Sequence, residues 1–485
     1  MPQPVSQGTK IPLSFPQQGL WFVDSQETNK AVYNLFRGFR LTGKIDVGCL
    51  EKAITAIIER HDILRTSFEI VDGELAQAIA PSLPFSLDIS DLQDLPATER
   101  TAKIEEITRE VQSWIFDLAR PPLLKVVLIR LRDKDYQFLL AMHHIISDDW
   151  SIQVFLKELS VFYKAFNENS AYTSSHTSHT PQPSDTLPRL PIQYADYAHW
   201  QHQYLAGEVG AEQLDYWKRQ LADAPLLLDL PTDFPRNNSD ASFQSGIVSL
   251  KIDCKTTKKL KALSRRGQTT LFVTILTAFA VLLYRYSNQE DIVIGTGVAN
   301  RNPAITEKLI GLFVNILALR VQMPDNPSFL TLLERVQQTA LDAHAYANIP
   351  FLHLAEKLQI KSIKNYKPVF QVLFVLQNVT QETLTFPDME TERLDFAKPT
   401  AGATFDLTLS LRENNEGLVG TLEYDTNLFA ATTIKQMAAH LLSLVGGIAE
   451  NPEIAIADIP LLSTQEREQL LFDWNKTETD YPRQS

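Results

Sequence analysis

The chain has 485 residues, of which 44% are hydrophobic and 21% charged, and carries a net charge of −13. That length suggests two or three domains, and the balance is ordinary for a globular protein. No long run of Lys and Arg is present, so non-specific nucleic-acid binding is excluded. The two distant cysteines, Cys49 and Cys254, fit neither a disulfide framework nor a zinc site, which suits a cytoplasmic protein.

The elements follow in chain order. The N-terminal stretch 1–15 has no apolar core of signal-peptide length. RGFRL (37–41) reads as a strand. The helix expected over 46–61 repeats Leu50, Ile54, Ile57 and Ile58 at helical spacing. A strand over 64–70 leads into the turn DGE, and a polar helical stretch lies around 97–118. KVVLIRL (125–131) and YQFLLAMHH (136–144) read as strands of a hairpin joined by RDKD. The helix expected over 150–166 carries one apolar stripe of Ile152, Phe155, Leu156, Leu159, Phe162, Tyr163 and Phe166.

Composition then changes. Residues 167–188 are rich in Ser, Thr and Pro and read as a mobile linker. His176 and His179 lie in it, and a floppy tract holds no metal geometry. Beyond it, helices are expected at 192–205, 269–287, 329–347 and 432–450, and strands at 246–253, 291–301, 369–378, 405–413 and 418–427. The apolar run 271–284 is too short to span a bilayer and reads as a buried helix, so no membrane partner is expected. The alternation implies α/β or α+β architecture with mixed sheets, in two lobes flanking the linker.

One stretch concentrates titratable groups. HHIISDDW (143–150) follows the apolar run YQFLLAM. Side chains alternate along a strand, so His143 and His144 are expected on opposite faces and do not chelate one ion together. Asp148 or Asp149 could cap the following helix, which gives a purely structural reading. The chemical reading is acyl transfer, with a histidine accepting or orienting the proton of an attacking amine or hydroxyl. No GxSxG or cysteine elbow accompanies it, so attack of one bound substrate directly on another is favoured over a covalent acyl-enzyme. Spacing alone leaves both readings open.

Seven stretches in order carry a resemblance. They are LSFPQQGLWF (13–22), ERHDILRTSF (59–68), HHIISDDW, YADYAHW (194–200), IGLFVNILALR (310–320), HAYANIPF (344–351) and KPVFQVLFVLQN (367–378). Together they resemble the motif series of nonribosomal peptide synthetase condensation domains, with HHIISDDW standing for HHxxxDG. The first and third look most like domains that take an L-configured donor. LLFDWNKTETDYP (470–482) resembles the linker into an adenylation domain.

The resemblance implies two chloramphenicol-acetyltransferase-like lobes in a V-shaped pseudo-dimer, with the active site in a tunnel between them. It implies residues 1–11 as an extension, 12–166 as the N-terminal lobe and 167–190 as the linker. The C-terminal lobe is then 191–465, and 466–485 begins the adenylation linker. The implied activity is attack of an acceptor amine on a donor thioester. Both substrates ride on phosphopantetheine arms of upstream and downstream carrier proteins, and the domain, a monomer by default, binds no cofactor and no metal of its own. His144 takes the catalytic position. His143 and Asp148 support it, Arg301 is the candidate partner of Asp148, and Arg65 and Arg60 are structural.

Three departures stand out. Asp149 replaces the usual Gly, which could require positive φ or place a second carboxylate beside His144. Gly19 replaces an arginine, and 365–368 reads NYKP in place of a Ser-Arg pair. Asp149 keeps open an alternative: a catalytically silent platform of the same fold that recruits carrier proteins or tailoring enzymes. A freestanding coenzyme A acyltransferase is opposed by the linker-like tail and the lack of a DFGWG-like stretch.

Overall fold

A computed structural model describes residues 1–6, 9–26, 30–172, 186–225, 227–236, 245–302, 304–359, 369–377, 384–394, 396 and 405–476. His176, His179, the NYKP stretch and the tail from 477 lie outside them.

The first lobe is built on a five-stranded sheet. Its central hairpin is β6 (Leu124–Arg132) and β7 (Asp135–His143). Lys134 closes the turn at a φ of 60°. β2 (Asn34–Thr42) pairs antiparallel on the free side of β7, and β5 (Asp88–Asp91) runs parallel beside β6. β7 is central and buried along almost its whole length, which accounts for its unbroken apolar run. Helices α2 (Val47–Arg60) and α4 (Asp149–Tyr172) pack against each other over this core. α2 opens on Asp46, whose carboxylate accepts from the Cys49 amide. α4 runs to Tyr172, into the stretch read as linker. A small sheet of Ile11–Pro12, Glu74–Ile79 and Thr66–Val71 borders the lobe.

The second lobe holds a six-stranded mixed sheet. Its order is Asn315–Gln322, Asp291–Val298, Val372–Gln377, Leu407–Asn414, Gly417–Asp425 and Ser245–Asp253. Only the Val372–Gln377 strand pairs parallel to both of its neighbours. The apolar helix Leu271–Ser287 lies fully inside this core along 273–283. Among the described residues no single helix is long and apolar enough to cross a membrane. Two helices, Glu208–Gln220 and Cys254–Arg266, were not expected, because their apolar stripes are diluted by charge.

The second half of the chain contributes to the first lobe. Strand Glu390–Leu394 leaves the second half and pairs antiparallel with β2, Thr391 opposite Leu41. Leu309, Ile310, Leu312, Phe313, Leu384 and Phe386 join the first lobe's core.

Candidate active site

β7 delivers its last residue, His143, into the core, and the chain then tightens into a 3-10 turn over His144–Ile146. The two histidines therefore separate in environment: His143 is buried and His144 half-buried. His144 Nδ1 lies 2.6 Å from the Ser147 carbonyl oxygen. A carbonyl only accepts, so Nδ1 carries a proton, and in the neutral ring Nε2 is the nitrogen with the lone pair. His143 Nδ1 instead accepts from the Ile145 amide at 3.1 Å. Burial pushes the His143 imidazole below its ordinary pKa, while Asp24 pulls the other way.

Asp148 is the N-cap of α4. Its Oδ1 accepts from the Ser151 amide at 2.7 Å, three residues on. The same oxygen accepts from Arg301 Nη2 at 2.8 Å, and Oδ2 accepts from the Phe313 amide at 3.0 Å. Arg301 is 6% exposed. Its Nη1 donates to the carbonyls of Thr306 and Leu309 at 2.8 and 2.6 Å. Its guanidinium carbon stands 4.2 Å from the Phe313 ring centroid. Arg301 thus gathers residues 304–313 around itself and ties them to the cap of α4. Trp150 adds a bond from Nε1 to the Glu307 carbonyl at 2.9 Å.

The distant motifs bond to this turn and to one another. Gln17 Nε2 donates to the Ile145 carbonyl at 3.0 Å. Ser14 Oγ and the Tyr194 hydroxyl lie 2.8 Å apart, and that hydroxyl donates to the Leu312 carbonyl at 2.7 Å. Burial pushes the Tyr194 hydroxyl well above its ordinary pKa, so it acts as a neutral bridge. Asn315 Nδ2 donates to the carbonyls of Ala347 and Ile349 at 2.8 and 2.7 Å. Neither Gln17 nor Ser151 was singled out from sequence. The spacing from Asp148 to Ser151 matches a cap and the amide it receives, a local signal for the latter.

Asp149 corrects an expectation. It starts α4 and is absent from the residues with positive φ, so no glycine-like backbone is required there. Its exposed carboxylate is ion-paired with Arg37 Nη2 of β2, which draws the added charge to that strand. Gly19 faces Leu352: a Cβ there would lie 1.9 Å from Leu352 Cδ1.

Arg65 lies in a separate cluster. It donates from Nε to the Ile58 carbonyl at 3.1 Å and from Nη2 to Asp62 Oδ1 at 2.6 Å, holding the end of α2. Arg60 Nε and His61 Nε2 each bond Glu158 of α4, at 3.0 and 2.9 Å. Burial raises the Glu158 carboxyl, but His61 and Arg60 outweigh it and hold the group below its usual range. A cavity of about 1020 Å³ opens on this outer side of α4, walled by Trp150, Val154, Val161, Leu187 and Ile305; His144 does not line it. Among the described residues no group of three or more His, Cys, Asp and Glu is arranged for a metal ion.

The condensation-domain family model matches residues 7–471. A linear gramicidin synthase of Brevibacillus parabrevis is 42% identical over 99% of the chain, and Chondramide synthase cmdD of Chondromyces crocatus 35% over 98%. The chain spans only 9% and 12% of the lengths of these relatives. The X-domain of teicoplanin biosynthesis, solved in complex with OxyB, is 26% identical with a TM-score of 0.80, covering 96% of this chain and 99% of that one. A four-domain nonribosomal peptide synthetase bound to AMP and glycine matches in fold at 22% identity and a TM-score of 0.77. That match covers 96% of this chain and 35% of that one.

Proposed function

The chain belongs to the condensation-domain family, and we propose that it forms a peptide bond between two carrier-bound substrates, with His144 as the catalytic residue. The observation that carries this reading is the His144 tautomer. With Nδ1–H committed to Ser147, Nε2 is the nitrogen able to accept or direct a proton. The acceptor α-amine attacks the donor thioester carbonyl. A C–N bond forms, the C–S bond breaks, and the proton leaving the amine ends on the departing pantetheine sulfur. Asp148 and Arg301 act at one remove, by fixing the cap of α4 that follows the His144 turn.

The partners are then an upstream donor carrier, a downstream acceptor carrier and an adjacent adenylation domain, with this domain monomeric and cytoplasmic. The two substrates approach His144 through a tunnel between the lobes. The first and third motifs support an L-configured donor. The likeness to the X-domain solved with OxyB favours one second reading, a silent platform that recruits a tailoring enzyme.

The test loads aminoacyl groups on two carrier proteins and measures the dipeptidyl-carrier by mass spectrometry. His144→Ala is expected to lower product formation about a hundredfold or more, the usual worth of a positioned acid–base group. A wild-type domain that yields no product with several substrate pairs sinks the catalytic reading in favour of the platform.

A further inference from the structure

Helix α1 (Phe15–Gln26) presents two polar side chains, Gln17 and Asp24, seven residues apart on one face. Both are buried, Asp24 to 3% exposure. Gln17 takes the Ile145 carbonyl, one side of the His144 turn. Asp24 faces the other side: its Oδ1 lies 3.5 Å from Nε2 of His143. Because His143 Nδ1 accepts from the Ile145 amide, its Nε2 carries the ring proton, and the Asp24 carboxylate is the charge facing that nitrogen, in a long contact that falls short of a hydrogen bond. Tyr33 and Phe116 present ring edges or near-edges to the same imidazole. Lys30 Nζ lies 3.5 Å from the second Asp24 oxygen and balances its charge.

We infer that Asp24 is a positioning residue: through His143 it holds the Ile145 amide and so fixes the turn that aims His144. Without the Asp24 carboxylate, no facing negative charge favours the proton at the buried Nε2. The other tautomer then becomes competitive, moving the proton to Nδ1. That form opposes two donors, Nδ1–H and the Ile145 N–H, and the turn loosens. Reduction of rate follows from misaim of His144 and not from lost substrate contacts. The inference rests on His144 as the catalytic residue.

The experiment compares wild type, Asp24→Asn and Asp24→Leu in the two-carrier assay. Nitrogen-15 NMR of the imidazoles follows in parallel, with His143 and His144 assigned by substitution. In wild type, His143 is expected in the Nε2–H form and His144 in the Nδ1–H form. Asp24→Leu is expected to mix the tautomers of both and to lower kcat about tenfold or more at unchanged KM. Asp24→Asn keeps an oxygen dipole facing Nε2 and recovers part of both signals. Wild-type tautomers in Asp24→Leu overturn the inference, as do an unchanged kcat or an Asp24→Asn no better than Asp24→Leu. Should wild type make no product, the imidazole spectra decide the positioning role independently of the proposed activity.

Discussion

At the scale of single residues, the two adjacent aspartates have opposite standing. Asp148 is buried and holds Arg301, the Ser151 amide and the Phe313 amide together. Removing it leaves a buried guanidinium without its countercharge and two amides without their acceptor. Asp148→Ala is therefore expected to cost about 3–5 kcal/mol, the usual loss when one partner of a buried pair goes. Asp149 is exposed, and its pair with Arg37 is screened by water. Asp149→Gly is expected to cost no more than about 1 kcal/mol. Urea denaturation of the two variants checks the contrast, and comparable losses would contradict it. His143 adds a pH dependence. Burial holds its folded pKa below the unfolded value of about 6.5. Below that pH the unfolded chain binds a proton that the native state refuses. Stability from this group is thus complete above about pH 6.5 and is lost as pH falls through the folded value. The urea midpoint is expected to fall between pH 7.5 and 5.5, with a shallower fall in His143→Gln.

At the scale of elements, the site is a junction of ends: the end of β7, the start of α4, the face of α1 and the loop 304–313. Each is held by backbone groups that receive one buried side chain. The loop is packed too closely for change at Gly311, where an added Cβ would stand 1.9 Å from Tyr194 Cδ2. Tyr194 cannot retreat without releasing its bond to the Leu312 carbonyl. Gly311→Ala is expected to destabilise the protein by about 1–3 kcal/mol through overpacking. It is also expected to lower product formation, because the Phe313 amide on Asp148 moves with the loop. A variant with wild-type thermal midpoint and rate would show the loop to be slack.

At the scale of the whole molecule, the two lobes share chain. Strand Glu390–Leu394 completes the first lobe's sheet, and Phe313, Leu312 and Phe386 fill its core. Removing them would open buried apolar surface and leave β2 with an unpaired edge. A fragment of residues 1–190 is accordingly expected not to fold into a stable monomer, despite holding every residue of HHIISDDW. Dispersed amide NMR signals from the isolated fragment would refute this.

Much of the fold was legible because the governing physics is local. The stripe of α4 and the unbroken run of β7 declare a helix on a core and a doubly covered strand within a few residues each. The short strands Glu74–Ile79 and Glu390–Leu394 lacked such patterns, since one is half-exposed and the other takes its place only by pairing with β2. HHIISDDW was equally visible as a cluster, but local spacing left chemistry and capping both open, and the motif series alone tipped the choice. What the sequence by itself determined was most of the longer apolar elements, the family resemblance and the position of the candidate site. Only the tertiary structure decided that Asp148 caps α4, that Asp149 turns to Arg37, and that Gln17 and Asp24 flank the His144 turn. The cap is local but its choice between the two aspartates is set by Arg301 and the Phe313 amide; it and the other contacts join residues more than a hundred positions apart, and such long-range partners leave no local periodic trace. They are selected by burial, where each polar group must find a partner as water is excluded.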